Sequence, residues 1–304
     1  MDTVIVIGEA LVDVVDRPEG RVEHPGGSPM NVAVGLARLG RPARLVCALG
    51  DDARGASVRD HVGASDVQVD ATAIDRTSTA VATVGEDGGA SYEFDLDWRL
   101  DAVDVPAGTP LVHVGSIGAV LQPGAQVVLD AVRSRPAGAL VSVDPNVRPT
   151  ITPDRDGVLA TLAPLLAEAD VVKCSDEDAA WLWPDRDVAA VLDGLLEHGA
   201  GLAAVTLGGS GCVIATARAR RTLPAPTVDV ADTIGAGDSF MSGLLAGVLA
   251  TGVAPADLDE DELGRLAALA LACAAVTVSR PGADPPTRDE LAADVAATLG
   301  ERAV

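Results

Sequence analysis

The chain is short of aromatic side chains: they make up 2% of its 304 residues, with a single tyrosine. A platform on which nucleic-acid bases stack needs several such rings, so that class of binder is excluded. Positive charge is scarce too. Lys and Arg total 22 against 45 Asp and Glu, a formal net charge of −23. Phosphate polyanions and anionic membranes would be repelled, which leaves no nucleic-acid and no membrane partner. One small anion can still be bound, because backbone N–H groups and a metal ion supply positive potential locally. No segment approaches the ~18 uninterrupted apolar residues of a membrane span. The start, Met1-Asp2-Thr3, lacks a basic region, and its apolar run Val4–Ile7 stops at Gly8, as a buried strand does and a signal peptide does not. Cys47, Cys174, Cys212 and Cys273 form no C-x-x-C pair, so they read as small core residues of a reducing, cytoplasmic compartment. Neither Gly-x-x-x-x-Gly-Lys-Ser/Thr nor Gly-x-Gly-x-x-Gly occurs, excluding a P-loop kinase and leaving a dinucleotide fold unsupported.

What is present is a core-forming composition, 48% apolar. The length allows one large domain or two of ~100–200 residues. Apolar runs without two-residue alternation occur at Val4–Ile7, Arg44–Ala48, Leu111–Val114, Leu140–Val143, Val171–Lys173, Ala203–Thr206 and Cys212–Ala215. Such strands are covered on both faces. Helical patterns lie between them, at Met30–Leu39, Ala125–Ser134, Leu159–Ala167 and Val188–His198. The last third reads as helix over Ala236–Ala250, Glu262–Val278 and Arg288–Leu299. This alternation predicts an α/β fold with a mostly parallel central sheet flanked by helices. Thr79–Val84 and Ser91–Leu96 around Glu86-Asp87-Gly88-Gly89 predict a hairpin. Leu11–Val15 and Arg21–Glu23 around Pro18-Glu19-Gly20 predict a second. With no linker or repeat, we expect a single domain, 1–304, carrying a small β-sheet lid from segments near 11–25 and 75–100. The lid should cover the carboxyl edge of the sheet, where such folds bind ligands.

Five segments carry chemistry. Asp232-Thr233-Ile234-Gly235-Ala236-Gly237-Asp238 feeds a helix, and the first N–H groups of that helix would converge as an anion hole. Asp238, in its first turn, is a candidate general base; the alternative is a helix-start carboxylate favouring the dipole. Gly26-Gly27-Ser28-Pro29-Met30-Asn31 reads as a helix start with Ser28 as N-cap and Pro29 first in the helix. Its glycines admit a ligand, and the Asn31 amide suits a sugar hydroxyl. Asp13 lies just past the end of the first strand. Asp144-Pro145-Asn146-Val147-Arg148 ends another strand, with Arg148 a cation for a transferring phosphate. Thr206-Leu207-Gly208-Gly209-Ser210-Gly211 reads equally as a nucleotide-side loop or a plain turn. An esterase reading of Gly237-Asp238-Ser239, with Ser239 as nucleophile, lacks any histidine after Ser239.

Together these segments resemble the ribokinase-like carbohydrate kinases, the pfkB family. Gly26-Gly-x-Pro-x-Asn-x-Ala followed by Gly40 and Gly50 is similar to that family's N-terminal signature. Asp232-Thr-x-Gly-Ala-Gly-Asp238-x-x-x-Ser242-Gly243-Leu244 is similar to its C-terminal one. The resemblance runs from Gly8 to Ala283, and Asp144–Arg148 with Lys173–Asp178 is most like the fructokinase branch. It implies a ribokinase-like fold and ATP-dependent phosphorylation of a sugar hydroxyl, with fructose the expected acceptor. 2-Keto-3-deoxygluconate and ribose are alternatives, as is a catalytically silent sugar sensor. It implies Asp238 as base and Gly235, Ala236 and Gly237 as the anion hole. Asp13, Gly26, Gly27 and Asn31 match sugar contacts, and Lys173, Thr206, Gly208 and Gly211 match the nucleotide side. Mg2+ is implied, with Asp178 standing through a water where the family often has Glu. Asp232 matches a monovalent-cation loop, which leaves K+ dependence open. A homodimer paired through the lid is the remaining expectation.

Overall fold

The computed structural model describes residues 3–17, 20–84 and 90–300. The chain opens with β1 (Val4–Ile7), β2 (Leu11–Arg17), β3 (Gly20–Gly26) and α1 (Ser28–Arg38). Next come β4 (Ala43–Gly50), α2 (Ala53–Gly63), β5 (Gln68–Ile74), β6 (Thr79–Val84) and β7 (Ala90–Asp95). The middle alternates: β8 (Leu111–Gly115), α3 (Ser116–Val120), α4 (Gly124–Arg133), β9 (Leu140–Asp144), α5 (Arg155–Leu166), β10 (Val171–Ser175), α6 (Asp176–Leu182), α7 (Val188–Glu197) and β11 (Leu202–Thr206). It ends with β12 (Cys212–Ala215), β13 (Arg220–Leu223), α8 (Ala236–Thr251), α9 (Glu260–Val278) and α10 (Ala293–Ala296).

The main sheet has nine strands in the order β13-β12-β11-β10-β9-β8-β1-β4-β5. From β11 to β5 every pair is parallel, and β12 and β13 add antiparallel. Side chains alternate across the sheet, so its two faces feed two cores. Val4 and Val6 pack with Met30, Leu36, Phe240 and Leu266 of α1, α8 and α9. Ile5 and Ile7 pack with Val128, Leu162 and Leu192 of α4, α5 and α7. Each fully buried aliphatic of this size contributes roughly 1.5–3 kcal/mol.

Two elements that place the site, α1 and α8, run side by side. A Cβ on Gly35 would lie 2.3 Å from Ser242 Oγ, so glycine permits the close crossing. With Asn31 against Asp238 one turn earlier, both helices start at the same edge of the sheet.

The second sheet is the lid, in the order β3-β2-β6-β7. β2 and β3 pair antiparallel from Leu11↔Gly26 to Arg17↔Gly20, and β6 pairs with β7 likewise. The expected turns at Pro18-Glu19 and Glu86–Gly89 lie outside the described residues. Arg54 of α2 donates to both oxygens of Glu23 on β3, at 2.9 and 2.6 Å, tying lid to body.

Several expectations need correction. Arg288–Leu299 is not one helix but a 3-10 turn (Arg288–Glu290), the short α10 and a further 3-10 turn (Ala297–Leu299). Its apolar residues are too sparse to bury one continuous face, and only Leu291 and Leu299 are core. α2, α3, α6, β5 and β13 have no counterpart in the sequence reading. β5 is an edge strand with mixed polarity, and α2 buries only Gly55, Val58 and Val62. Among the described residues no helix is long and apolar enough to cross a membrane. The four cysteines are buried and unpaired. Burial pushes the Cys47 and Cys273 thiols up to about 12, so they are inert as nucleophiles at neutral pH.

Candidate active site

Asp238 occupies the third position of α8 and is buried. Both of its oxygens are held by the first turn of α1. Ser28 Oγ donates to Oδ1 at 2.6 Å, and Asn31 Nδ2 donates to Oδ2 at 2.8 Å. The N-cap of α1 is Gly27 at φ 120°, not Ser28. Ser28 is inside the helix, and its hydroxyl is directed to Asp238 instead of the backbone. Ser28 is therefore a site residue that sequence reasoning assigned to capping. The signal was available: Ser28 and Asn31 are three apart and share a helix face.

Gly235, the N-cap of α8, adopts φ 76°, and a Cβ there would meet Ala283 at 2.6 Å. Its carbonyl receives Ser239 N at 2.8 Å. The Ala236 N–H is turned back to Thr233 O at 3.3 Å, so Ala236 is already partnered within the expected anion hole. Helix geometry leaves the N–H groups of Gly237 and Asp238 without intrahelical acceptors. Beside them lies Lys173 of β10, whose ammonium donates to Asp144 Oδ2 at 2.9 Å. Both members of the pair are buried. A Cβ on Gly237 would fall 2.9 Å from Lys173 Nζ. Burial works against the ammonium, but Asp144, Asp178 and Asp238 outweigh it and raise its pKa above the ordinary lysine value. Burial also pushes Asp144 up to about 6.

Asp178 is bound structurally at both oxygens. It completes a capping box with Ser175 at the start of α6 and accepts Val147 N at 2.9 Å, fixing the Asp144–Arg148 loop. In that loop Arg148 is exposed, and its guanidinium donates to Asn146 O, Asn146 Oδ1 and Val147 O. All three bonds use Nη1 alone, and the guanidinium is otherwise exposed. Its charge is felt by Glu9 and Asp13.

On the lid side, Asp13 of β2 stands opposite His24 of β3. It is half-buried, and among the described residues its carboxylate has no hydrogen-bond partner. Burial raises its pKa, with His24 and Arg148 partly opposing. Gly26 makes room for it: a Cβ there would lie 2.0 Å from Asp13 Oδ2. Glu9, two residues past β1, is a buried carboxyl to which the sequence motif Gly8–Asp13 gave no role. It accepts Gly118 N at 2.9 Å and is bonded by Ser116. Burial pushes it up to about 7. Trp98 donates Nε1 to Gly118 O at 3.0 Å and is core, whereas Tyr92 has its side chain outside the described residues.

Thr206 ends β11, and the following 3-10 turn, Gly208–Ser210, is open around Gly208. Gly211 instead packs on the end of β13, where a Cβ would meet Leu223 O at 2.0 Å. Asp232 joins two loops, accepting Ile234 N at 3.0 Å and Gly282 N at 2.9 Å. Ser239 is buried, donates to Cys273 O and is bonded by Thr277, so it is no free nucleophile.

The chain is similar to known proteins over nearly its whole length. Residues 1–290 match the model of the pfkB family of carbohydrate kinases. A fructokinase of Salmonella typhimurium is 35% identical over 290 residues, covering 91% of this chain and 94% of the relative. The structure of a Xylella fastidiosa fructokinase with bound ATP superposes with a TM-score of 0.83 at 28% identity, covering 98% of each chain. A fructokinase double mutant from Vibrio cholerae O395, with fructose, ADP and a potassium ion bound, gives 0.80 at 27% identity, covering 93% and 94%.

Proposed function

This chain belongs to the pfkB family of carbohydrate kinases, and from that premise we propose that it transfers the γ-phosphoryl group of ATP to D-fructose, giving fructose 6-phosphate. The observation that carries the reading is the Asp238 carboxylate, buried at the start of α8 and held at both oxygens by α1. A carboxylate so fixed accepts the proton of the sugar hydroxyl as that oxygen attacks the γ-phosphorus. The new O–P bond forms while the bond from phosphorus to the departing ADP oxygen breaks. Charge spreading over the phosphoryl oxygens meets the N–H groups of Gly237 and Asp238 at the start of α8, in the anion hole expected of Gly235, Ala236 and Gly237. Asp13, Gly26, Gly27 and Asn31 face the sugar. Thr206, Gly208 and Lys173 face the nucleotide, and Gly211 closes that loop by packing on the end of β13.

Fructose is preferred to a keto-acid because of where the cations are. A carboxylate substrate needs a free cation. Arg99, in the lid region, is already paired with Asp97 at 2.6 Å. Asp13, by contrast, offers an unpartnered carboxylate to sugar hydroxyls. The names of the curated relatives point the same way.

Among the described residues no group of three or more His, Cys, Asp and Glu could hold a metal ion. Such a site fits Mg2+ carried in on the nucleotide, since Mg2+ keeps its waters and binds through phosphates with few carboxylates. Asp178 would reach it through water, and the ion would neutralise phosphate charge. A K+ ion near Asp232 would brace the two loops that Asp232 already joins. Unpaired buried thiols suit a cytoplasmic setting. A homodimer would pair through lid strand β3, whose Val22 is 51% exposed. The test is ADP release with D-fructose, D-ribose and 2-keto-3-deoxygluconate. The reading expects fructose to give the highest kcat/KM, and no ADP release above the sugar-free rate with any of them would overturn it.

A further inference from the structure

The chain passes between the main sheet and the lid four times: from β1 to β2, from β3 to α1, from β5 to β6 and from β7 to β8. The first and last of these passages are tied to one peptide group of the body. Gly118 of α3 donates its N–H to Glu9 Oε2 at 2.9 Å, and its carbonyl accepts Trp98 Nε1 at 3.0 Å. Glu9 lies between β1 and β2, and Trp98 between β7 and β8. The three meet so closely that residue 118 has room for no side chain. A Cβ there would lie 2.8 Å from Gly8 Cα, 3.1 Å from Trp98 Cζ2 and 3.2 Å from Glu9 Oε2. Ser116 bonds to the same carboxyl, and does so from φ 54°, a left-handed conformation uncommon for a residue with a side chain. A buried carboxyl is unfavourable unless its hydrogen bonds are made, so filling space does not account for Glu9. The third passage joins the other two: Ser78 accepts Val12 N through its carbonyl and Asp97 N through Oγ, each at 3.0 Å. Glu9 is four residues from Asp13, and its carbonyl would lie 2.5 Å from a Cβ on Gly27, the N-cap of α1. A shift at Glu9 would therefore be felt by the carboxylate that faces the sugar.

We propose that the Gly118 peptide is the pivot from which both ends of the lid hang, and that Glu9 and Trp98, which grip its two polar atoms, are positioning residues that hold Asp13 over the sugar. Neither side chain touches the reacting atoms; both act through the place of the lid. The inference rests on the kinase reading above for the sugar it names, and deepens that reading on the lid side.

The test uses the full chain as wild type, Glu9→Gln, Trp98→Phe and the double variant. Glu9→Gln keeps the shape of the side chain but gives up its charge and one acceptor. Trp98→Phe keeps a ring and loses the indole N–H. Kinetics is run above the Glu9 pKa of about 7, where the wild-type carboxyl is ionised. Glu9→Gln should raise the fructose KM about tenfold, the scale of a lost hydrogen bond to a charged group, and Trp98→Phe about threefold. The ATP KM should stay within about twofold of wild type. Because both side chains act on one peptide, the double variant should raise the fructose KM by clearly less than the product of the single effects. Amide hydrogen exchange of the ligand-free variants should quicken in β2, β6 and β7 while β8 to β11 stay as protected as in wild type. An unchanged fructose KM in both single variants, an ATP KM that rises in step with it, or single effects that simply multiply would each overturn the proposal. So would exchange that quickens as much in the main sheet as in the lid. If the double variant fails to fold, Ser116→Ala, which removes one donor to Glu9 and no charge, takes its place: the fructose KM should rise with the ATP KM unmoved, and no rise would overturn the pivot. Exchange needs no substrate, so a wild type that phosphorylates no sugar would defeat the kinase reading and leave the pivot to be decided by exchange.

Discussion

Asn31 and Asp238, 207 positions apart in the chain, meet through a 2.8 Å hydrogen bond from Nδ2 to Oδ2. The bond joins the two glycine-led helix starts into one site and fixes the direction in which the Asp238 carboxylate faces. Ser28 fixes the other oxygen. Sugar side and phosphate side are therefore coupled through α1, and the predictions follow from that coupling.

Ser28→Ala and Asn31→Ala should each lower kcat about tenfold or more, since each removes a hydrogen bond to a charged group, at ~1.5–3 kcal/mol. Asn31→Ala should also raise the sugar KM. Steady-state kinetics separates the two effects. Unchanged kcat in both variants would mean that the orientation of Asp238 does not depend on α1.

Asp13→Ala should raise the fructose KM roughly tenfold or more and leave the ATP KM nearly unchanged, because stranding hydroxyl partners costs ~1–3 kcal/mol. A rise in ATP KM instead would show that the two ligands have been assigned to the wrong ends of the site. Arg99→Ala, whose guanidinium is bound to Asp97, should change the sugar KM by less than about tenfold.

Gly237→Ala should leave thermal stability unchanged or slightly raised, because Ala is the better helix former by about 1 kcal/mol. The new methyl group can only be accommodated by moving Lys173 Nζ, which should depress kcat. Calorimetry and turnover on the same sample check both halves. A fully active Gly237→Ala would show that the position of the ammonium is unimportant.

Glu9 predicts a pH dependence of stability. Burial pushes its pKa to about 7, above that of the unfolded chain. The folded state then binds the proton more tightly, so stability from this group is full below the unfolded value of ~4.3 and is lost as pH rises through about 7. The Tm of wild type relative to Glu9→Gln should therefore fall from about pH 4 to about pH 7 and flatten above. Asp144 titrates in the same window, but it is common to both proteins and cancels in the difference. Parallel Tm curves would refute a raised Glu9.

Much of the fold was legible because buried parallel strands are unbroken apolar runs: β1 and β12 were read to the residue. The anion-hole helix was legible from Gly235-Ala236-Gly237, since a left-handed N-cap needs glycine. Other features depend on pairings that local patterns do not contain. Ser28 looks like a cap until Asp238 is brought 2.6 Å away by the α1–α8 crossing. Glu9 looks like the polar end of a strand until α3 closes over it. The local bonds of Asp178 and Arg148 were not legible either: Asp178 caps α6 and accepts Val147 N, and Arg148 donates to Asn146. β5 escaped because an edge strand with Gln68, Asp70 and Thr72 on it has neither the apolar run nor a clean alternation.

The central claim is that Asp238 is the base in phosphoryl transfer from ATP to fructose. Its most direct test is wild type and Asp238→Asn, each incubated with Mg2+, ATP and 13C-labelled D-fructose, with product followed by NMR and folding checked on the same samples. The account predicts fructose 6-phosphate from the wild type, and from a normally folded Asp238→Asn a kcat lower by at least ~10²–10⁴ with little change in KM. Fructose 6-phosphate formed at near-normal turnover by the folded Asp238→Asn would contradict it.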